Sequence, residues 1–196
     1  MLENLRNYNI ILASNSPRRK ELLASLDIDF EVKTIKDIDE SFPEGMPTSD
    51  IALYIAGKKA DAYLKVMKDN ELIITADTIV VVGDKVLEKP KDAADAHAML
   101  RMLSGRTHTV VTGVCLTARK YSRRFSVTTD VNFSPLTDEE IEYYISHYRP
   151  FDKAGAYGIQ EWIGYVGVSG LRGSYFNVMG LPVQRIYHEL KKVPAI

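Results

Sequence analysis

Asp77 stands inside the most apolar run of the chain, Leu72-Ile73-Ile74-Thr75-Ala76-Asp77-Thr78-Ile79-Val80-Val81-Val82. A carboxylate there is costly to bury unless it is hydrogen-bonded, paired or bound to a cation, so Asp77 is either a structural acceptor or a site residue facing a cleft. The segment Ile10-Ile11-Leu12-Ala13-Ser14-Asn15-Ser16-Pro17-Arg18-Arg19 joins an apolar strand to a helix entrance. Ser16 suits the N-cap, Pro17 suits the first helical position, and the free N–H groups of that turn favour an anion. Arg18 and Arg19 oppose the helix macrodipole by ~0.3–1 kcal/mol per charge, a cost that a nearby phosphate would offset; a solvated basic helix end is the alternative. Lys89, in Glu88-Lys89-Pro90, follows the next strand and could return to pair with Asp77 or with a phosphate. Gln160 ends the run Asp152-Lys153-Ala154-Gly155-Ala156-Tyr157-Gly158-Ile159-Gln160. Its small residues let backbone approach a ligand closely, and the Gln amide offers a paired donor and acceptor of the kind that suits a base edge.

The elements that must position these residues alternate between strand and helix periodicity, which predicts an α/β class. Strands are predicted near 9–13 and 30–34, with a helix at 17–26 between them. An acidic loop with Asp37, Asp39, Glu40 and Glu44 leads to a helix from Thr48 or Ser49 to about Lys68. Residues 72–82 and 85–87 form a hairpin about Gly83-Asp84, where a leading Gly suits type II′ geometry. A helix over 92–104 places Ala93, Ala96, Met99, Leu100 and Leu103 on one face and stops at Gly105. Two β runs, 107–117 and 125–133, flank a basic turn at 119–124. Thr137-Asp138-Glu139-Glu140 is a capping box, with Ile141, Tyr144, Ile145 and Tyr148 as the buried stripe and Pro150 as the stop. Residues 155–180 are too apolar for a disordered linker and too rich in Gly for a helix; 182–192 form a terminal helix.

Composition narrows the function. The chain has 196 residues, 45% hydrophobic content and a net charge of -1, which fits one compact domain or two lobes sharing a sheet. With the charges nearly balanced, anion binding must come from local placement of Lys and Arg, so a small partner is expected rather than nucleic acid. One cysteine, Cys115, allows no internal disulfide and points to a reducing cytoplasm. No leader-like segment is read at the N-terminus, and no apolar run reaches the about 18 residues of a membrane span, so no membrane association is expected. His97, His108, His147 and His188 are scattered, which supports neither a zinc site nor a Cys/His nucleophile; His108 reads as structural. Neither a Gly-x-Ser-x-Gly elbow nor a Walker loop is present, which disfavours serine hydrolases and P-loop ATPases.

Six segments in order, Ser14 to Arg19, Ala76-Asp77-Thr78, Glu88-Lys89-Pro90, 104–113, Asp152 to Gln160 and Gly180-Leu181-Pro182, together resemble the Maf family of nucleoside triphosphate pyrophosphatases. The resemblance implies a single Maf/ITPase-like domain over 1–196, with a long bent central mixed β-sheet flanked by helices and two lobes around a cleft. It implies hydrolysis of a nucleoside triphosphate between the α and β phosphates, with a divalent cation, Mg2+ or Mn2+. By the family pattern Asp77 is the proton acceptor that activates water. Arg18, Thr78 and Gln160 match the positions that separate subfamilies, and Arg, Thr and Gln are the residues of the dTTP/UTP branch. Arg18, Arg19, Lys59 and Lys89 are candidate fixed cations for the phosphates, with Ser14 and Ser16 at the phosphate-holding helix entrance. Asp77 and Glu40 are the candidate metal ligands, since Mg2+ takes one or two carboxylates and keeps its waters. A homodimer is a family-level expectation. Two other readings stand beside this one: a nucleotide-binding regulator of septum formation, and a house-cleaning pyrophosphatase for modified nucleotides.

Overall fold

A computed structural model describes residues 2–196 of the chain. In order, its elements are β1 (Asn9–Leu12), α1 (Pro17–Ala24), β2 (Glu31–Val32), α2 (Thr48–Leu64), β3 (Glu71–Val82), β4 (Lys85–Leu87) and α3 (Ala93–Leu103). They continue as β5 (Thr107–Ala118), β6 (Tyr121–Phe133), α4 (Asp138–Tyr148), α5 (Trp162–Gly167), β7 (Val168–Arg172), α6 (Tyr175–Met179) and α7 (Val183–Leu190). The strands form a 7-stranded sheet in the order β2-β1-β3-β5-β6-β7, with β4 added on β3. The sheet is mixed: β1 pairs in parallel with both β2 and β3, whereas β3/β4 and β6/β7 are antiparallel. This is the mixed α/β sheet with flanking helices that the periodicity and the resemblance imply.

The chain divides into two compact units, one of residues 1–77, 112–127 and 180–196 and the other of 78–111 and 128–179. In the first unit, Ile11, Ala13, Ile73, Tyr63 and Met67 form one apolar cluster. A second joins Ala56 and Ala60 of α2 to Cys115 of β5. Small residues let α2 lie close on the sheet: a Cβ at Gly113 would fall 2.4 Å from the Leu53 Cα. The Thr75 hydroxyl donates to the Ala56 carbonyl at 2.8 Å, fixing α2 against β3. At α7, Glu189 is buried with Arg123, Arg185 and Lys192 around it at 2.8–3.1 Å. Burial would raise its pKa, but the three cations hold the carboxyl down to about 2.

In the second unit, Leu100, Leu103, Val131, Ile141 and Tyr144 belong to one core that joins α3 and α4 to the sheet. The capping box is present: Thr137 accepts from Glu140 N–H while the Glu140 carboxylate accepts from Thr137 N–H. Gly83 adopts φ 58° at the β3/β4 turn and Gly105 φ 66° after α3, both as the sequence predicts. Several boundaries and faces differ from the sequence expectation. Ala93 and Tyr148 are exposed, because each lies at the end of its helix where the apolar stripe rotates off the core. The basic turn shrinks to Arg119-Lys120, since β6 already begins at Tyr121. The stretch judged too rich in Gly for a helix contains α5 and α6. In α5 the backbone itself requires glycine, as a Cβ at Gly164 would sit 1.7 Å from the Ile159 carbonyl oxygen.

His108 is 1% exposed, joined to the Tyr157 hydroxyl at 2.6 Å and set edge-on to Phe133. Burial lowers its pKa to about 4, with Asp130 opposing the shift. The fold therefore holds a neutral imidazole, whereas the unfolded chain takes up a proton below its ordinary value of 6.5. Stability present above pH 6.5 is lost as the pH falls toward 4. Urea unfolding at pH 7 and pH 5 should show a loss of about 2 kcal/mol attributable to this residue, and the loss should be missing in His108→Phe.

Candidate active site

Asp77 lies near the middle of β3 with its side chain 14% exposed, and it has a cationic partner. Lys59 of α2 donates to the Asp77 carboxylate at 2.8 Å and also meets the Glu40 carboxylate at 3.1 Å. The Lys59 side chain is only 13% exposed, whereas Glu40 is 55% exposed on the loop before α2. One acid from the loop and one from β3 thus converge on one ammonium, and α2 can deliver it because Thr75 and the small residues of α2 bring that helix down onto the sheet. The loop itself is tied by Lys58, which bonds the Asp39 carboxylate at 2.6 Å and the Ser41 carbonyl at 2.9 Å. Consecutive lysines of α2 therefore hold consecutive acids of the loop.

The helix entrance forms as its residue types predict. Ser16 caps α1, its hydroxyl accepting from Arg19 N–H at 3.4 Å, and Pro17 occupies the first turn. Ser14 Oγ accepts from Ser16 N–H at 3.2 Å, which orients that hydroxyl at the same entrance. Arg19 uses its guanidinium within the protein: Nε donates to the Gly180 carbonyl and Nη1 to the Ala76 carbonyl, both at 2.8 Å. It thereby fastens α1 to the strand one residue before Asp77. Burial lowers the Arg19 pKa, while Asp77 raises it, Arg18 lowers it and Glu40 raises it. Asp77, Arg18 and Glu40 thus all lie close enough to act on Arg19, and two of them, Asp77 and Glu40, also pair with Lys59. Arg18 is half-buried on the first turn of α1.

The second unit carries Thr78, Lys89 and Gln160. Thr78 is half-buried on β3, and Lys89 is exposed after β4. Gln160 sits in a turn fastened by the preceding loop, in which Gly155 and Ala156 take φ 68° and 59° and Gly155 N–H donates to the Glu88 carbonyl at 3.1 Å. The Gln160 side-chain amide oxygen, Oε1, is buried without a hydrogen-bond partner. An orphaned buried acceptor costs about 1–3 kcal/mol and marks a place where a ligand donor would be favoured.

Asp77 and Glu40 supply hard oxygen donors that already meet around a cation. Among the described residues, no three His, Cys, Asp or Glu side chains cluster as a metal cage. That donor set suits a divalent ion that completes its shell with water and phosphate oxygens.

A family model described as Maf-like protein matches residues 9–193. The chain belongs to the Maf-like family. A relative from Phocaeicola vulgatus, named dTTP/UTP pyrophosphatase, is 61% identical over 98% of this chain and 100% of its own length. Relatives with the same name from Parabacteroides distasonis and Bacteroides fragilis are 58% and 55% identical, over 97% and 98% of this chain and 99% and 100% of their own. Among the described residues, no helix is long and apolar enough to cross a membrane.

The structure brings together Ser14 with Ser16, and Arg18, Arg19, Lys59, Asp77 and Glu40, within the first unit. Sequence reading had given no part to Tyr144 beyond core packing, nor any to Lys153 or Glu161. Lys153 is buried, bonded to Asp152 at 2.8 Å and Glu161 at 3.2 Å, and a lysine inside an otherwise small and apolar run was the available signal. Replacing Arg19 with Met should destabilise the protein by about 2 kcal/mol in urea unfolding, because two backbone carbonyls lose a charged donor. Arg19→Lys should recover part of that loss.

Proposed function

We propose that this chain is a nucleoside triphosphate pyrophosphatase acting on dTTP and UTP, releasing pyrophosphate and leaving the nucleoside monophosphate. Most of the support comes from the convergence of Asp77 and Glu40 on Lys59, in a Maf-like chain whose relatives at 55–61% identity are named for that activity. In this reading Asp77 takes the proton from the attacking water. Lys59 holds the carboxylate in place through its hydrogen bond, and its positive charge offsets the negative charge building on the pyrophosphate leaving group. Ser14, Ser16 and the first turn of α1 hold phosphate oxygens, with Arg18, Arg19 and Lys89 as further cations. Asp77 and Glu40 would hold Mg2+ or Mn2+, which when bound supplies positive charge against the phosphate oxygens.

Arg18, Thr78 and Gln160 set the substrate range. The unpartnered Gln160 Oε1 accepts from the N3–H of uracil or thymine, and the amide NH2 donates to O4. Cytosine presents the opposite polarity at those two positions and leaves both groups unsatisfied.

The test is pyrophosphate release from a panel of canonical and modified triphosphates with Mg2+ or Mn2+. UTP and dTTP should turn over fastest. Asp77→Asn should reduce turnover by about 10²–10⁴-fold, the usual contribution of a general base. Activity on none of the panel, or an Asp77→Asn enzyme with wild-type rate, would refute the reading.

A further inference from the structure

Gln160 can discriminate between bases only if its amide is held in one orientation, since the two ends of a glutamine differ by a flip. The turn that carries it is closed twice. Glu161 N–H donates to the Gly158 carbonyl at 3.0 Å. A side-chain bridge spans the same residues: the Tyr144 hydroxyl donates to the Glu161 carboxylate and accepts from Gly158 N–H at 2.9 Å. Tyr144 comes from α4 and is fully buried, so its hydroxyl has a fixed origin. Lys153, itself buried, completes the ring of contacts through its ion pair with Glu161 at 3.2 Å.

Gly158 is the hub of this arrangement. A Cβ there would lie 3.0 Å from Gln160 Nε2, 3.0 Å from Lys153 Cε and 3.1 Å from Glu161 Cδ. The three side chains crowd the side of Gly158 where a Cβ would stand, so the residue whose N–H Tyr144 anchors also leaves the Gln160 amide nitrogen its space. We infer that Tyr144 and Glu161, braced by Lys153, are positioning residues that fix the Gln160 amide and thereby set the preference for uracil and thymine over cytosine. The inference rests on the pyrimidine-reading role proposed for Gln160. Tyr144 does not touch the base; it acts on the orientation of the group that does. Burial and the neighbouring Glu161 push its phenol pKa up, so the hydroxyl stays a proton donor across the working pH range.

Tyr144→Phe removes one oxygen and keeps the ring in the core. It should lower the UTP-to-CTP ratio of kcat/KM by about tenfold, chiefly through a higher KM for UTP, with kcat for UTP changed less than threefold. Gln160→Ala should lower the same ratio at least as far. In the double variant, Tyr144→Phe should produce no further change in the ratio, because its effect passes through Gln160. Glu161→Gln keeps an acceptor for the Tyr144 hydroxyl and should retain more of the ratio than Glu161→Ala, which supplies the measurement should Tyr144→Phe not fold. If Gln160→Ala collapses the ratio while Tyr144→Phe and Glu161→Ala, both folded by circular dichroism, leave it intact, the positioning role is wrong and the pyrimidine-reading role stands. An equal loss for both nucleotides in Tyr144→Phe likewise reduces Tyr144 to a structural residue. If Gln160→Ala itself leaves the ratio unchanged, both assignments fall.

Discussion

A carboxylate set in a strand as apolar as β3 needs a partner, and Lys59 is the cation that meets Asp77. Burying a carboxylate without a partner costs several kcal/mol, so the place of Asp77 in this strand depends on the Lys59 contact. The requirement reaches back through the first unit. Lys59 can arrive only if α2 lies close on the sheet, and α2 lies close because Ala56 and Ala60 are small, Gly113 has no side chain and Thr75 bonds the helix backbone. Arg19 adds the second support by binding the Ala76 carbonyl beside Asp77. Residues of α1, α2 and β3 that are distant in sequence thus serve one carboxylate.

The second unit meets a different demand. In the proposed reading residues 154–161 present the Gln160 amide in one orientation, and that segment is built from backbone conformations that few residues adopt and from a charged group that is seldom buried. Ala156 at φ 59° and a buried Lys153 are both locally unfavourable. Strain of that kind persists where surrounding structure over-determines it, and such positions are concentrated at functional sites. The core around Tyr144, Ile141 and Leu100 supplies that rigidity.

Much of this was legible in the chain because the signals are local. Gly83 marks the hairpin, Thr137 and Glu140 mark the start of α4, and Ser16-Pro17 marks the start of α1. Asp77 stands out because an acid in an apolar strand needs a partner, and Glu40 and Lys59 are candidates from the charge that a triphosphate and its metal would need and not from spacing. Their convergence is a tertiary fact, set by how α2 packs. Residues 155–180 were misread because glycine lowers helix propensity in an isolated segment, whereas in α5 it is the only residue that the neighbouring Ile159 carbonyl tolerates. Tyr144 was legible as a buried residue and not as a hydrogen-bonding one, since periodicity reports which face is covered and is blind to the polar tip of a tyrosine.

The central claim is that Asp77 directs water at the phosphorus from which pyrophosphate departs. Its most direct test is a single turnover of UTP in 18O-labelled water, with both products analysed by mass spectrometry. One 18O atom in UMP and none in pyrophosphate is the result the account predicts. Label in pyrophosphate would place the attack on the other phosphorus, and unlabelled products in the first turnover would make the carboxylate a nucleophile; either result would contradict the account.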